Sequence, residues 1–194
     1  DIVLEANKEK EEEQEQLNID MLLEEAEAEP EMPATIPEGE TPEEKRIRIM
    51  NATRPDRLTD QQKKLFSYFA KIPGMDQQIL DALNGAYSHS GERTSHRGNI
   101  AIMGSHGTGK SRLGDGLVKA LCKELGLPAA KYARLDASDM NSKDPARVVA
   151  KLSGGFLLIE RAGHMSADTI SKLSKAMDFR TDSLIVIIED DKTS

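Results

Sequence analysis

The sequence is poor in cysteine and in aromatic residues. It contains one cysteine, no tryptophan, three tyrosines and four phenylalanines among 194 residues. Cys122 therefore has no partner for a disulfide within the chain, which is expected of a protein from the reducing cytosol and predicts a cytoplasmic location. Because Cys122 lies at an apolar position of a predicted helix, we expect a buried structural thiol there.

Long apolar runs are also lacking. No run approaches the roughly 20 residues that a membrane-spanning helix needs, so no membrane partner is predicted. No basic segment followed by an apolar one opens the chain, which argues against a secretory signal. The chain begins with Asp1 rather than Met, as expected of an excised fragment or of a chain that has lost a leader.

Clusters of metal-binding or nucleophilic residues are missing as well. The four histidines are scattered at positions 89, 96, 106 and 164, and none forms a ligand pair with cysteine, which argues against a zinc site. No Ser-His-Asp or Cys-His arrangement is evident. Lysine and arginine do not cluster with aromatic residues, so the sequence carries no strong nucleic-acid signal.

Charge is distributed unevenly along the chain. Residues 1–44 carry 17 acidic and two basic side chains, whereas the remaining residues carry 17 acidic and 24 basic ones, so the net charge of −8 combines −15 with +7. We expect residues 1–44 to be a largely disordered acidic tail with a proline-rich linker over residues 30–42. An apolar segment at residues 17–23 could dock on an unidentified protein partner.

One short motif carries most of the functional information. Residues 104–111 fit G-x-x-x-x-G-K-[ST], the phosphate loop of nucleoside-triphosphate-binding proteins. A short apolar run precedes the motif and a helical pattern follows it, which is the strand–loop–helix order that the motif requires. The predicted cofactor-binding residues are Gly104, Ser105, His106, Gly107, Thr108, Gly109, Lys110, Ser111 and Arg112.

The motif predicts a nucleoside triphosphate and Mg²⁺ as cofactors. Backbone N–H groups of a glycine-rich turn can surround phosphate oxygens, and Lys110 can reach the β- and γ-phosphates. The Ser111 hydroxyl can bind Mg²⁺. No Asn-Lys-x-Asp motif for reading guanine is present.

Apolar strands alternate with helical patterns after residue 98. This order predicts an α/β fold, a three-layer P-loop sandwich with a mainly parallel, doubly wound sheet. We predict a helical N-terminal extension over residues 45–98 and a nucleotide-binding core over residues 99–194. The predicted strands cover residues 99–103, 131–136, 156–160 and 183–189, and the predicted helices cover residues 61–69, 76–87, 110–125, 145–152 and 167–178.

A phosphate loop needs a second acid to hold Mg²⁺, usually at the end of an apolar strand. Glu160 ends the run Phe156–Glu160 and is the predicted metal-binding and catalytic acid, together with Lys110. Arg161 follows it where many hydrolysing proteins of this class carry a glutamate. Arginine cannot act as a base at neutral pH, so hydrolysis is expected to be slow or to need another residue.

These residues resemble AAA+ ATPases, and in particular the group of CbbX and the stage V sporulation protein K. The resemblance rests on residues 103–111, 154–160 and 184–188, and it covers roughly residues 72–191. It implies ATP as the nucleotide, a helix that begins near Gly74 and Met75, and assembly of the full-length protein as a homo-oligomer.

The chain departs from that family at several positions. Glu160 and Arg161 stand where the family has an Asp-Glu pair, and residues 139–143 lack the aromatic expected of a pore loop. The polar sensor after the fourth strand would fall at Glu189, Asp190 or Asp191. The chain stops at Ser194, before a fifth strand or a helical lid, so we expect a C-terminally truncated core.

Three functions are compatible with these residues. The first is an AAA+-like ATP-binding domain whose weak or regulated hydrolysis drives or gates a protein interaction. The second is an interaction module in which nucleotide serves as a structural ligand or switch without hydrolysis. The third is a small P-loop kinase, in which Asp136 and Asp139 would bind an acceptor metabolite.

Overall fold

In the described part of the chain, helices pack on both sides of a four-stranded sheet. The computed structural model describes residues 41–127, 130–179, 181 and 184–191. The predicted acidic tail and most of the linker, residues 1–40, therefore lie outside the described residues. In chain order the elements are α1 (Pro42–Asn51), α2 (Asp60–Leu65), α3 (Ser67–Ala70), α4 (Met75–His89), β1 (Ile100–Gly104), α5 (Lys110–Leu125), β2 (Tyr132–Asp136), α6 (Ala137–Ser142), α7 (Pro145–Lys151), β3 (Phe156–Glu160), a 3₁₀ turn (Ala162–His164), α8 (Ala167–Met177) and β4 (Ile185–Asp191).

The sheet is parallel, in the order β1-β4-β3-β2. Ile100 pairs with Ile187 across β1 and β4, and Leu158 pairs with Ile187 across β3 and β4. Because the strands are parallel, their carboxyl ends meet at one edge, where doubly wound sheets bind ligands. The predicted α/β class and parallel sheet are confirmed.

Alternate residues of the central strands enter two separate hydrophobic clusters. Leu158 and Ile187 face the cluster built with α4 and α5, whereas Leu157, Ile159 and Val186 face the cluster built with α6, α7 and α8. Since side chains alternate along a strand, an almost wholly apolar strand is expected where both faces are covered. The three layers of the sandwich therefore follow from these apolar strands.

The helices before β1 pack directly on the nucleotide-binding core. Phe66 is 1% exposed and belongs to the same cluster as Leu117 of α5 and Ile100 of β1. Glu124 of α5 accepts hydrogen bonds from Gln62 and from Arg54, each at 2.7 Å. The division between residues 45–98 and 99–194 remains a proposal about organisation, because the two segments share one hydrophobic cluster.

Local structure differs from the prediction in two places. The segment between the predicted strand 131–136 and the predicted helix 145–152 contains α6, for which no helix was predicted. Asp136 caps α6 by accepting hydrogen bonds from the Ser138 backbone and side chain, and Met140 is a buried residue on its core side. The predicted helix over residues 61–69 is interrupted at Phe66, whose φ of −101° separates α2 from α3. Cys122 is buried as predicted.

Candidate functional site

The phosphate loop lies at the carboxyl edge of the sheet, between β1 and α5. Gly107 and Gly109 adopt φ angles of 79° and 86°, a left-handed conformation that glycine reaches without steric cost. Thr108 closes the turn by donating its backbone N–H (3.3 Å) and its hydroxyl (2.7 Å) to the Ser105 carbonyl. The predicted strand–loop–helix context is present, and residues 105–108 are exposed to solvent.

Lys110 begins α5 and folds back over the loop. Its Nζ donates to the carbonyls of Gly104 (3.1 Å) and Ser105 (2.9 Å) and forms an ion pair with Asp191 Oδ1 at 2.8 Å. The Lys110 ammonium holds the pKa of the Asp191 carboxyl below its usual range. An acid at the end of β4 thus neutralises the lysine that the motif assigns to phosphate.

Ser111 brings the ends of β3 and β4 together. Its hydroxyl lies 3.2 Å from Glu160 Oε1 and 2.9 Å from Glu189 Oε2. Glu160 is partly exposed, whereas Glu189 is 3% exposed. Burial raises the pKa of Glu189 and the neighbouring Glu160 adds to the rise, while the hydrogen bond from Ser111 opposes it. Two carboxylates therefore share one hydroxyl where the sequence predicted a single acid.

Arg134 of β2 compensates the charge of Glu160. Its Nε and Nη2 donate to Glu160 Oε1 at 3.0 and 2.8 Å, and its Nη1 donates to Asp115 Oδ2 at 2.9 Å. Tyr132 donates to the other Asp115 oxygen at 2.5 Å. This network ties β2 and β3 to the second turn of α5, so Glu160 is held by a cation before any metal binds.

Arg161 is paired with Asp136 at the end of β2. It has a left-handed φ of 52°, and its guanidinium donates to both oxygens of Asp136, with Nε at 2.6 Å and Nη2 at 2.8 Å. This bidentate pair holds the pKa of Asp136 well below its usual range. Asp136, which the kinase hypothesis assigned to an acceptor, is therefore already engaged by Arg161 and Ser138.

Aromatic residues of the N-terminal helices lie next to the phosphate loop at Gly109. A Cβ atom at Gly109 would lie 3.5 Å from Phe69 and 3.6 Å from Tyr68. The guanidinium of Arg112 lies 5.0 Å from the centre of the half-exposed Tyr68 ring. The predicted binding residue Arg112 thus faces an aromatic ring contributed by α3.

The structure brings most of the predicted site together. Lys110, Ser111 and Glu160 lie at one edge of the sheet, and His106 is exposed on the loop. Glu189, Asp191 and Arg134 were not among the predicted site residues. Their positions follow from parallel strands that end at a common edge, and the family's polar position after the fourth strand was the signal for Glu189 and Asp191.

The donor set fits Mg²⁺ held jointly with a nucleotide. Within the described ranges, no three histidine, cysteine or acidic side chains converge to hold a metal by themselves. Mg²⁺ in nucleotide sites commonly takes one or two carboxylates and completes its shell with phosphates and water. Glu160, Glu189 and the Ser111 hydroxyl supply such ligands, and the buried Oε1 of Glu189 has no hydrogen-bond partner among the described residues.

None of the helices in the described part of the chain is long and apolar enough to cross a membrane. The cytoplasmic location stays a prediction.

No protein-family model matches the sequence, and no curated protein matches it. Among solved structures, PCH-2 of C. elegans matches with a TM-score of 0.50 and 14% sequence identity, over 73% of this chain and 45% of that one. A structure of Drosophila ORC bound to DNA aligns over 85% of this chain and 47% of that one at 14% identity, but its TM-score of 0.34 is too low to indicate a shared fold.

The match with PCH-2 concerns the fold. PCH-2 is an AAA+ ATPase, and this chain spans less than half of its length. The match does not test the resemblance to the narrower CbbX and stage V sporulation protein K group, which stays a prediction. The chain has an α/β fold similar to that of AAA+ P-loop domains.

Proposed function

We propose that this chain is an ATP-binding, AAA+-like domain whose weak or regulated hydrolysis drives or gates a protein interaction. The observation that carries the proposal is the phosphate loop at the carboxyl edge of the sheet, with Lys110 and Ser111 beside the acids that end β3 and β4. The AAA+-like fold supports it.

In this proposal the loop from Gly104 to Arg112 surrounds the phosphates with backbone N–H groups. Lys110 exchanges Asp191 for the β- and γ-phosphates, because both anions compete for the same ammonium. Ser111 and the adjoining acids hold Mg²⁺, with Glu160 as the predicted acid. The ion, when bound, neutralises charge that develops on the phosphates.

Arg161 is the reason to propose slow hydrolysis. Arg161, the residue after the strand-ending acid, has no basic lone pair, and its guanidinium is engaged by Asp136. Attack by water then depends on another group or on a partner. The same observation favours the second candidate, a nucleotide-dependent switch that binds ATP without turning it over.

We infer that the full-length protein forms a homo-oligomer, as the resemblance to AAA+ ATPases implies, and that the acidic N-terminal segment meets a protein partner. The described core does not favour the kinase hypothesis, because Arg161 and Ser138 occupy the carboxylate of Asp136.

Calorimetric titration with Mg-ATP, with phosphate release assayed on the same sample, tests the proposal. Lys110→Ala should weaken ATP binding about 10–100-fold, because a hydrogen bond to a charged group contributes about 1.5–3 kcal/mol. Lys63→Ala is the matched control, since it removes an exposed lysine of α2. Circular dichroism and thermal unfolding establish that both variants are folded.

The outcomes separate the candidates. Binding with steady phosphate release supports the regulated ATPase, and binding without release supports the switch. Equal ATP affinity in Lys110→Ala and in the unmodified chain would contradict both, as would a folded chain that does not bind ATP.

A further inference from the structure

The Ser111 hydroxyl has one proton to donate, but two carboxylate oxygens lie within hydrogen-bonding distance of it. They are Glu160 Oε1 and Glu189 Oε2. While the hydroxyl donates to one carboxylate, its oxygen faces the other carboxylate oxygen with no proton between them. A surplus of oxygen acceptors around one point is what a hard cation requires.

The two carboxylates differ in how their charge is balanced. Glu160 accepts two N–H groups from Arg134 on the oxygen that also faces Ser111. Its side chain is 33% exposed, so water reaches it as well. Glu160 is thus compensated by a fixed guanidinium, and an incoming metal would compete with that guanidinium for the same oxygen.

Glu189 has no such direct ion pair among the described residues, and Arg134 attracts it only through space. Its side chain is buried between β4 and α5, and its Oε1 has no hydrogen-bond partner in the part of the chain that the structure describes. Among the described residues, its carboxylate accepts one hydrogen bond, from the Ser111 hydroxyl to Oε2. A buried carboxylate without a directly paired cation is costly, so the position of Glu189 favours a bound cation.

We propose that Glu189, at the end of β4, is the main carboxylate that holds Mg²⁺ in this chain, and that Glu160 serves chiefly as the ion-pair partner of Arg134. This inference rests on the proposed ATP binding. It moves the metal-binding acid from β3 to the neighbouring strand while keeping Ser111 as the hydroxyl ligand. The change accords with the departure at β3, where glutamate stands in place of the family's aspartate.

ATP affinity measured by calorimetry in excess Mg²⁺ and in EDTA tests the assignment. The ratio of the two affinities is the magnesium enhancement. Glu189→Gln should reduce this enhancement about 10–100-fold, a loss typical of a group that supports a metal site. Glu160→Gln should reduce it less. Asp168→Asn removes an exposed carboxylate on α8 and should leave the enhancement unchanged.

Thermal unfolding without Mg²⁺ provides a second test, because the two variants should shift the unfolding midpoint in opposite directions. Glu189→Gln should raise the midpoint, because glutamine removes the buried charge while its side-chain oxygen still accepts from Ser111. Glu160→Gln should lower the midpoint, because Arg134 loses its ionised partner. If Glu189→Gln fails to fold, Glu189→Asp keeps the charge and should retain more of the enhancement than Glu160→Gln does.

An unchanged magnesium enhancement in folded Glu189→Gln would overturn the assignment, and so would a loss in Glu160→Gln that equals or exceeds it. In either case ATP binding by the unmodified chain leaves the proposed function standing. If the unmodified chain binds ATP neither with Mg²⁺ nor in EDTA, the proposed function itself fails and the assignment fails with it.

Discussion

Lys110 illustrates how a single residue can be satisfied by the fold and still be available for a ligand. Two of its contacts are to carbonyls of its own loop, and the third is the ion pair with Asp191. Asp191 is 48% exposed, so water screens the pair and its contribution is modest. The acid therefore acts as a weak internal competitor for the phosphate-binding lysine.

Asp191→Asn should strengthen ATP binding. The variant removes the negative charge that competes with phosphate for Lys110. Because water screens this exposed pair, the gain in affinity should be small, about 1.5–5-fold. Calorimetric titration measures the change, with Asp168→Asn as a control of equal charge. Weaker binding by Asp191→Asn would instead assign Asp191 a direct role in holding the nucleotide.

Helix α5 depends on small residues where it meets the sheet. A Cβ atom at Gly114 would lie 2.3 Å from Leu158 Cδ1 and 3.1 Å from Glu189 Oε1. Leu158 is fully buried, so it has little room to move. The close approach of α5 to the ends of β3 and β4 brings Ser111 within reach of both glutamates.

Gly114→Ala should destabilise the protein although alanine favours helix. Overpacking of a filled core costs about 1–3 kcal/mol, which exceeds the roughly 0.5–1 kcal/mol that alanine contributes over glycine within a helix. Gly85→Ala in α4 is the matched control, because apart from its own local helix backbone no atom lies within 4 Å of the added Cβ, and it should stabilise the protein. Chemical denaturation compares the two, and equal stabilities would contradict the steric argument.

Charge in the whole molecule influences stability in two opposing ways. The pKa values of Asp136 and Asp191 lie below their usual range because Arg161 and Lys110 donate to them, whereas burial raises the pKa of Glu189. A lowered carboxyl pKa stabilises the fold above the unfolded pKa of about 3.9, and this contribution is lost as the pH falls towards the folded pKa. The raised pKa of Glu189 acts in the opposite direction, since the buried charge destabilises the fold as the pH rises.

Asp136→Asn should lower the thermal unfolding midpoint at pH 7, and this destabilisation should disappear at acid pH. Asparagine still caps α6, so the variant removes the charge that pairs with Arg161 without removing the cap. The difference from the unmodified protein should persist down to about pH 4 and shrink below it, as Asp136 becomes protonated. Thermal unfolding across this range measures it, and a difference that does not depend on pH would refute the ion-pair explanation.

The sequence by itself determined the α/β class, the phosphate loop and the strand that ends at Glu160. Each of these is encoded locally: glycines at fixed spacing permit the turn, and unbroken apolar runs demand cover on both faces of a strand. The burial of Cys122 was likewise predictable from its place on the helix. Local patterns did not reveal α6, because its polar surface resembles a loop and its cap depends on a single aspartate.

Tertiary structure alone decided which charges meet at the loop. Glu160 and Glu189 are 29 positions apart in the chain, yet Ser111 lies within hydrogen-bonding distance of both. The sequence does not specify which acid pairs with Arg134. The pairing of β2 with β3 places Glu160 next to it. Strand order and register set these distances, and they follow from the packing of the whole sheet rather than from any segment of the sequence.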